Sequence, residues 1–188
     1  MAATNHAQAM KEDTKEAIAT ALLQLLSRQN LSNLTVSQVC QRAGVSRMAF
    51  YRNFDGLDRV LHGHFQPKIA KVFETIRKDV NLAEKIDEQV RFFGLFGDDL
   101  LAAIEKGYEP LIQEIFVEEI QKSYTARGDG YWVVFMASGV YAIWKKWLQD
   151  GQTIPLTSIA RFFRQLDSLN GVVSGPRGGP PVGSSDGV

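Results

Sequence analysis

The four residues Ala43-Gly44-Val45-Ser46 restrict the fold of this chain more than any other stretch. A glycine can take the left-handed conformation that ends a helix, and a serine two positions later is a preferred helix N-cap. The stretch therefore reads as two short helices joined by a tight turn. The first begins at a capping box, in which Thr35 accepts from the Gln38 amide while the Gln38 side chain reaches back. Val36, Val39, Cys40 and Ala43 give that helix an apolar stripe. In the second helix, Phe50 and Phe54 lie four apart and share one face. Arg47, Met48, Ala49, Tyr51, Arg52 and Asn53 are left for the other faces. This is the helix-turn-helix plan, whose second helix fits a DNA major groove. A purely structural helix of this length would more often carry Glu and Ala than guanidinium, phenol and amide groups.

Upstream, Ile18, Leu22, Leu25 and Leu26 recur at helical spacing and predict a helix from about Lys11 to Gln29. Residues 11–56 then form a three-helix unit with a core of Ile18, Leu22, Leu25, Leu34, Val39, Ala43, Val45, Phe50 and Phe54. A unit of about 50 residues is marginal alone, so it should lean on the helix that starts at Leu57. Residues 1–10 read as a flexible arm. The chain has no net charge, but residues 1–65 hold seven Lys/Arg against five Asp/Glu, a weak local basic excess suited to nucleic acid. The single Cys40 excludes an intrachain disulfide and suits a reducing cytoplasm.

From residue 57 to 170 every periodic segment is helical, so the fold class is all-α, with the small N-terminal unit followed by a larger helical domain. Pro67 should kink or break the first of these helices. Gly94 and Gly97 interrupt the pattern, and Asp98 or Asp99 restarts it up to Gly107. Glu109-Pro110 opens another helix. His62 and His64 are two apart and point to different helix faces, which argues against a metal pair. The stretch from Tyr131 to Leu148 is apolar almost all round, which demands burial on more than one side. A single small domain offers one side; a second subunit is the simplest source of the other. Residues 171–188 are rich in Gly, Pro and Ser and should be disordered. No apolar run reaches the roughly 18 residues of a membrane span. No nucleophile–base pair, metal spacing or phosphate loop suggests an enzyme, a metal or another cofactor.

The stretch Leu34–Leu61 resembles the DNA-binding region of the TetR family of bacterial transcriptional regulators, on Thr35, Val39, Ala43-Gly44-Val45-Ser46, Phe50-Tyr51 and Phe54. The end of the ordered chain is similar to one branch of that family, on Gly139, Trp147, Gly151 and the helix Leu156–Leu169. The resemblance implies a cytoplasmic homodimer that reads a palindromic operator in double-stranded DNA and represses transcription. It implies that Arg47, Met48 and Ala49 face base edges and that Tyr51 and Arg52 face the backbone or flanking bases, with Asn53 a further DNA-binding candidate. Thr35 and Ser37 would open the helix that crosses the phosphates, and Ser46 the reading helix. It implies a dimer built on Trp132, Phe135, Met136, Gly139, Ile143 and Trp147, with Ile159, Phe163 and Leu166 from the last helix. It also implies an effector site, for a small molecule or a protein, in the C-terminal domain. Phe92, Phe93, Phe96, Tyr108, Phe116 and Tyr141 are candidates to line it, although aromatics at helical spacing are more often core. One position departs from the family: Leu57 stands where a phosphate-facing Lys is usual. That departure keeps an alternative open, a dimeric co-regulator acting through protein contacts without operator binding.

Overall fold

The computed structural model describes residues 2–77, 94, 96–124, 130–155, 157–159, 161, 162 and 165. Among these, every regular element is a helix, as the periodicity predicts. The order is α1 (Ala2–Leu26), a single 3-10 turn (Leu31–Asn33), α2 (Val36–Ala43), α3 (Arg47–Tyr51), α4 (Leu57–Arg77), α5 (residues 96–106), α6 (Glu109–Tyr124) and α7 (Gly130–Gln149). The chain turns helical again at 157–159.

The local signals between residues 35 and 46 fold as their chemistry dictates. The Gln38 N–H donates to Thr35 Oγ1 at 3.3 Å, and the Thr35 N–H donates to Gln38 Oε1 at 2.8 Å, closing the capping box. Gly44 ends α2 at φ 70°, and the Val45 N–H returns to the Cys40 carbonyl at 3.0 Å. A β-carbon at Gly44 would meet no neighbour, so backbone conformation alone sets the preference for glycine there.

α1 packs on α2 and α4, and α2 packs on α3. Ile18, Leu22, Leu26, Leu34, Val39, Cys40 and Phe50 are buried at this junction, with Leu25, Ala43, Val45 and Phe54 partly buried against them. Val60, Leu61 and Phe65 of α4 complete the same cluster, so the N-terminal unit does lean on the helix that follows. Beyond it, α4 packs against α6 and α6 against α7. Ile69, Phe73, Leu100, Ile112, Ile115, Phe116, Val140 and Trp144 continue the core.

Three features differ from the sequence expectation. α1 begins at Ala2, so residues 2–10 are helical where a loose arm was expected. Residues 8–13 are exposed, and the Ala-, Gln- and Met-rich composition supplies helix propensity without packing. α4 runs through Pro67 unbroken. A mid-helix proline costs about 3 kcal/mol, but Phe65, Ile69 and Phe73 are buried on both sides of it. Each buried side chain of that kind contributes about 1.5–3 kcal/mol, which outweighs the break. Finally, Gly97 lies inside α5 and does not interrupt it. A β-carbon there would sit 2.9 Å from Leu148 Cδ2, so a larger residue would oblige that side chain to shift.

Glu109, at the first turn of α6, is buried and fully engaged. Tyr141 donates its hydroxyl to Glu109 Oε1 at 2.8 Å, and Lys145 Nζ lies 2.9 Å from Oε2. The negative charge also suits a helix N-terminus. Burial, then the bond to Glu109 and its charge, push the Tyr141 phenol far above its usual pKa. Burial, with Asp99 nearby, pushes Tyr108 up to about 12. Both phenols stay protonated in the fold where unfolded tyrosines ionise near pH 10. Their contribution is therefore complete below pH 10 and falls as pH rises above it, that of Tyr108 through about 12 and that of Tyr141 further still. Thermal melts between pH 9 and 12 should show a falling midpoint. Tyr141→Phe should flatten that fall and lower stability at pH 7 by about 1–3 kcal/mol, because Glu109 loses a buried donor.

Candidate nucleic-acid interface

α3 is one and a half turns long, and its two sides differ sharply. Phe50 is 0% exposed and anchors the helix in the N-terminal core. On the outer side Met48 is 70% exposed and Tyr51 48%, with Arg47 and Arg52 also exposed. Ala49 is half-buried between them. The outer side thus presents two guanidinium groups, a phenol and a thioether on one rigid element. Ser46 caps this helix: its Oγ accepts the Ala49 N–H at 3.1 Å and retains its own hydrogen for a further acceptor. Ser37 is exposed on the first turn of α2.

Two of the residues expected to meet DNA are already engaged within the chain. The Asn53 side-chain amide donates to the Ala49 carbonyl at 2.8 Å, and the residue is half-buried. Asn53 closes the end of the reading helix, with one amide hydrogen engaged on the Ala49 carbonyl. Thr35 likewise uses its hydroxyl hydrogen on Gln38 Oε1 at 2.9 Å, so it shapes the start of α2 and has no hydrogen left for a phosphate. Leu57 is partly buried and packed against the core, so the first turn of α4 offers no cation at that position. Arg42 Nε donates to Gln24 Oε1 at 2.8 Å and ties α2 to α1.

Residues 18–65 match the family model for bacterial regulatory proteins of the tetR family. The N-terminal unit is thus similar to the N-terminal domain of that family. The matched segment opens at Ile18 and closes at Phe65, both members of the buried cluster that joins α1, α2, α3 and α4. The matched segment therefore runs past residue 56 into α4, as does the buried cluster. The match covers about a quarter of the chain and supports a TetR-family transcriptional regulator. No curated protein matches the chain.

Beyond the matched segment, α7 turns Ala137, Val140, Tyr141, Trp144, Trp147 and Leu148 inward. Its other side exposes Tyr131 at 87%, Val134 at 47% and Phe135 at 58%. Gly139 and Ile143 are half-buried. Trp147, expected at a subunit interface, is buried in its own protomer, where its indole N–H donates to the Ile154 carbonyl at 2.8 Å. Ile159 is buried as well. The side chains of Trp132, Met136, Phe163 and Leu166 lie outside the described residues. Tyr131 was not among the residues expected at the interface, although its spacing to Val134 and Phe135 puts all three on one face.

The aromatics expected to line an effector pocket are packed ring against ring. Phe65 lies 5.8 Å from Phe96 and 5.9 Å from Tyr108, centroid to centroid. Phe116 lies 5.3 Å from both Phe73 and Tyr141. These rings fill the core between α4, α6 and α7. Phe92 and Phe93 lie outside the described residues. A depression of about 410 Å³ lies instead at the joint, with Leu31, Asp58 and Arg59 on one side and Tyr108, Leu111 and Glu114 on the other.

Proposed function

We propose that this protein is a transcriptional repressor that binds a palindromic operator as a homodimer. The exposed guanidinium–thioether–phenol side of α3, set opposite the buried Phe50, carries the reading. In each half-site α3 lies in the major groove. Arg47 grips guanine O6 and N7 through two N–H groups, and Met48 with Ala49 covers a thymine methyl. Arg52 and the Tyr51 hydroxyl reach phosphates, as do the hydroxyls of Ser37 and Ser46; these contacts set register and carry no sequence information. Asn53 and Thr35 hold the shape of the two helices.

The second copy docks on the outer side of α7 through Tyr131, Val134 and Phe135. Two heads then meet successive turns of DNA, with half-site centres about 34–36 Å apart. An effector, small molecule or protein, releases the operator only if it binds one separation of the heads better than the other. The protein works in the cytoplasm, where its operator lies.

Sedimentation equilibrium tests the dimer: wild type should weigh two chains, and Phe135→Asp should shift it towards one. Mobility shift on DNA flanking the gene tests the operator, with binding that weakens as salt rises. A monomeric wild type, or the absence of any salt-sensitive complex with specific DNA, would sink the proposal. Leu57 and the small basic excess favour a second reading, a co-regulator that binds a partner protein. Capture of that partner by a protein bearing Arg47→Ala, with no footprint from wild type, is the result that reading requires.

A further inference from the structure

Arg47, which opens α3, and Arg52, its C-cap, are held differently. Arg52 folds back along its own helix, with Nε 3.4 Å from the Met48 carbonyl. Arg47 lies over the Tyr51 ring, its guanidinium carbon 6.0 Å from the centroid. The Tyr51 ring is itself fixed from behind. Phe50, 0% exposed, meets it edge to face at 5.4 Å and 83°. A continuous line thus runs from the protein core through Phe50 and Tyr51 to one exposed guanidinium.

We propose that the aromatic ring of Tyr51 is a positioning element for Arg47, and that it sets the preference for one guanine in each operator half-site. This rests on the operator-binding reading above and adds to it a role for the ring that is separate from any contact made by the hydroxyl. An arginine on a helix surface samples many rotamers, and each must be given up on binding. A cation held over a ring face has surrendered part of that freedom beforehand, which shifts the loss from the bound state to the free protein. The gain falls on the base contact and not on the phosphates, because Arg47 is the group the ring supports. Tyr51 stands four residues after Arg47, the helical spacing that brings the two side chains together.

Selection from randomised DNA gives the preferred site, and competition then compares that site with one in which the guanine is replaced. Wild type and Tyr51→Phe should discriminate equally, since both keep the ring. Tyr51→Ala should lose about two- to fivefold of the discrimination per half-site, the range expected of an exposed cation–ring contact. Arg47→Ala should lose all of it. Tyr51 is half exposed, so these variants should fold, and thermal melts check that they do. Full discrimination by Tyr51→Ala would overturn the proposal, as would equal loss in Tyr51→Phe and Tyr51→Ala, which would assign the effect to the hydroxyl. If wild type selects no sequence at all, the operator reading fails first and this proposal falls with it. A uniform drop in affinity with discrimination retained is the mark of a phosphate contact alone, and also counts against it.

Discussion

Arg47→Ala should weaken binding to the preferred operator by about 1–3 kcal/mol for each half-site. A homodimer carries two copies, so the full loss should be about twice that. The same substitution should change binding to unrelated DNA far less, because there Arg47 is only one charge among several near the phosphates. Arg47→Lys separates charge from geometry. It keeps the cation but not the planar fork that meets guanine O6 and N7 together, so it should recover only a minor part of the loss. Titrations at one fixed salt concentration, on operator and on scrambled DNA, measure both terms. Equal losses on the two DNAs would mean that Arg47 does not read a base.

Phe50→Ala should lower stability by about 3–5 kcal/mol, the cost of deleting a fully buried aromatic ring. Phe50 has no exposure and touches both Tyr51 and Phe54, at 5.4 and 6.0 Å between ring centroids. The N-terminal unit cannot absorb this alone, since its core is continuous with α4 through Val60, Leu61 and Phe65. The three tryptophans, Trp132, Trp144 and Trp147, all lie in the C-terminal half. Their fluorescence therefore reports that half, while circular dichroism reports every helix. If the core couples the two halves, both signals should shift together in denaturant. A loss below about 1 kcal/mol would contradict the packing described, and separate transitions would contradict the coupling.

The residues that were legible in the sequence act over three or four positions. Thr35 with Gln38, Gly44 with Val45, and Ser46 with Ala49 close their bonds within one helical turn, so local chemistry decides them. Phe50 and Phe54 follow from helical spacing. The residues that were not legible depend on distant neighbours. Pro67 stays helical because buried rings on either side hold it, and Gly97 faces the side chain of Leu148, some fifty residues away. The aromatic stripe from Phe96 to Tyr141 has the same period whether it walls a pocket or fills a core; the ring-to-ring contacts are set by the fold and not by that period. Asn53 shows a further limit: residue type fits a base contact, but its amide turns back to Ala49. In α7 the surplus of apolar residues was legible, while their division between an inward Trp147 and an outward Tyr131 was not.

The central claim is that two copies of α3 read DNA together. Selection of binding sites from random double-stranded DNA, followed by footprinting of the selected sites, tests it most directly. The selected sites should hold an inverted repeat, a guanine at equivalent positions in both halves, and protected half-sites centred about 34–36 Å apart on one face of the duplex. Selection of a single unrepeated site, or of no sequence above background, would contradict it.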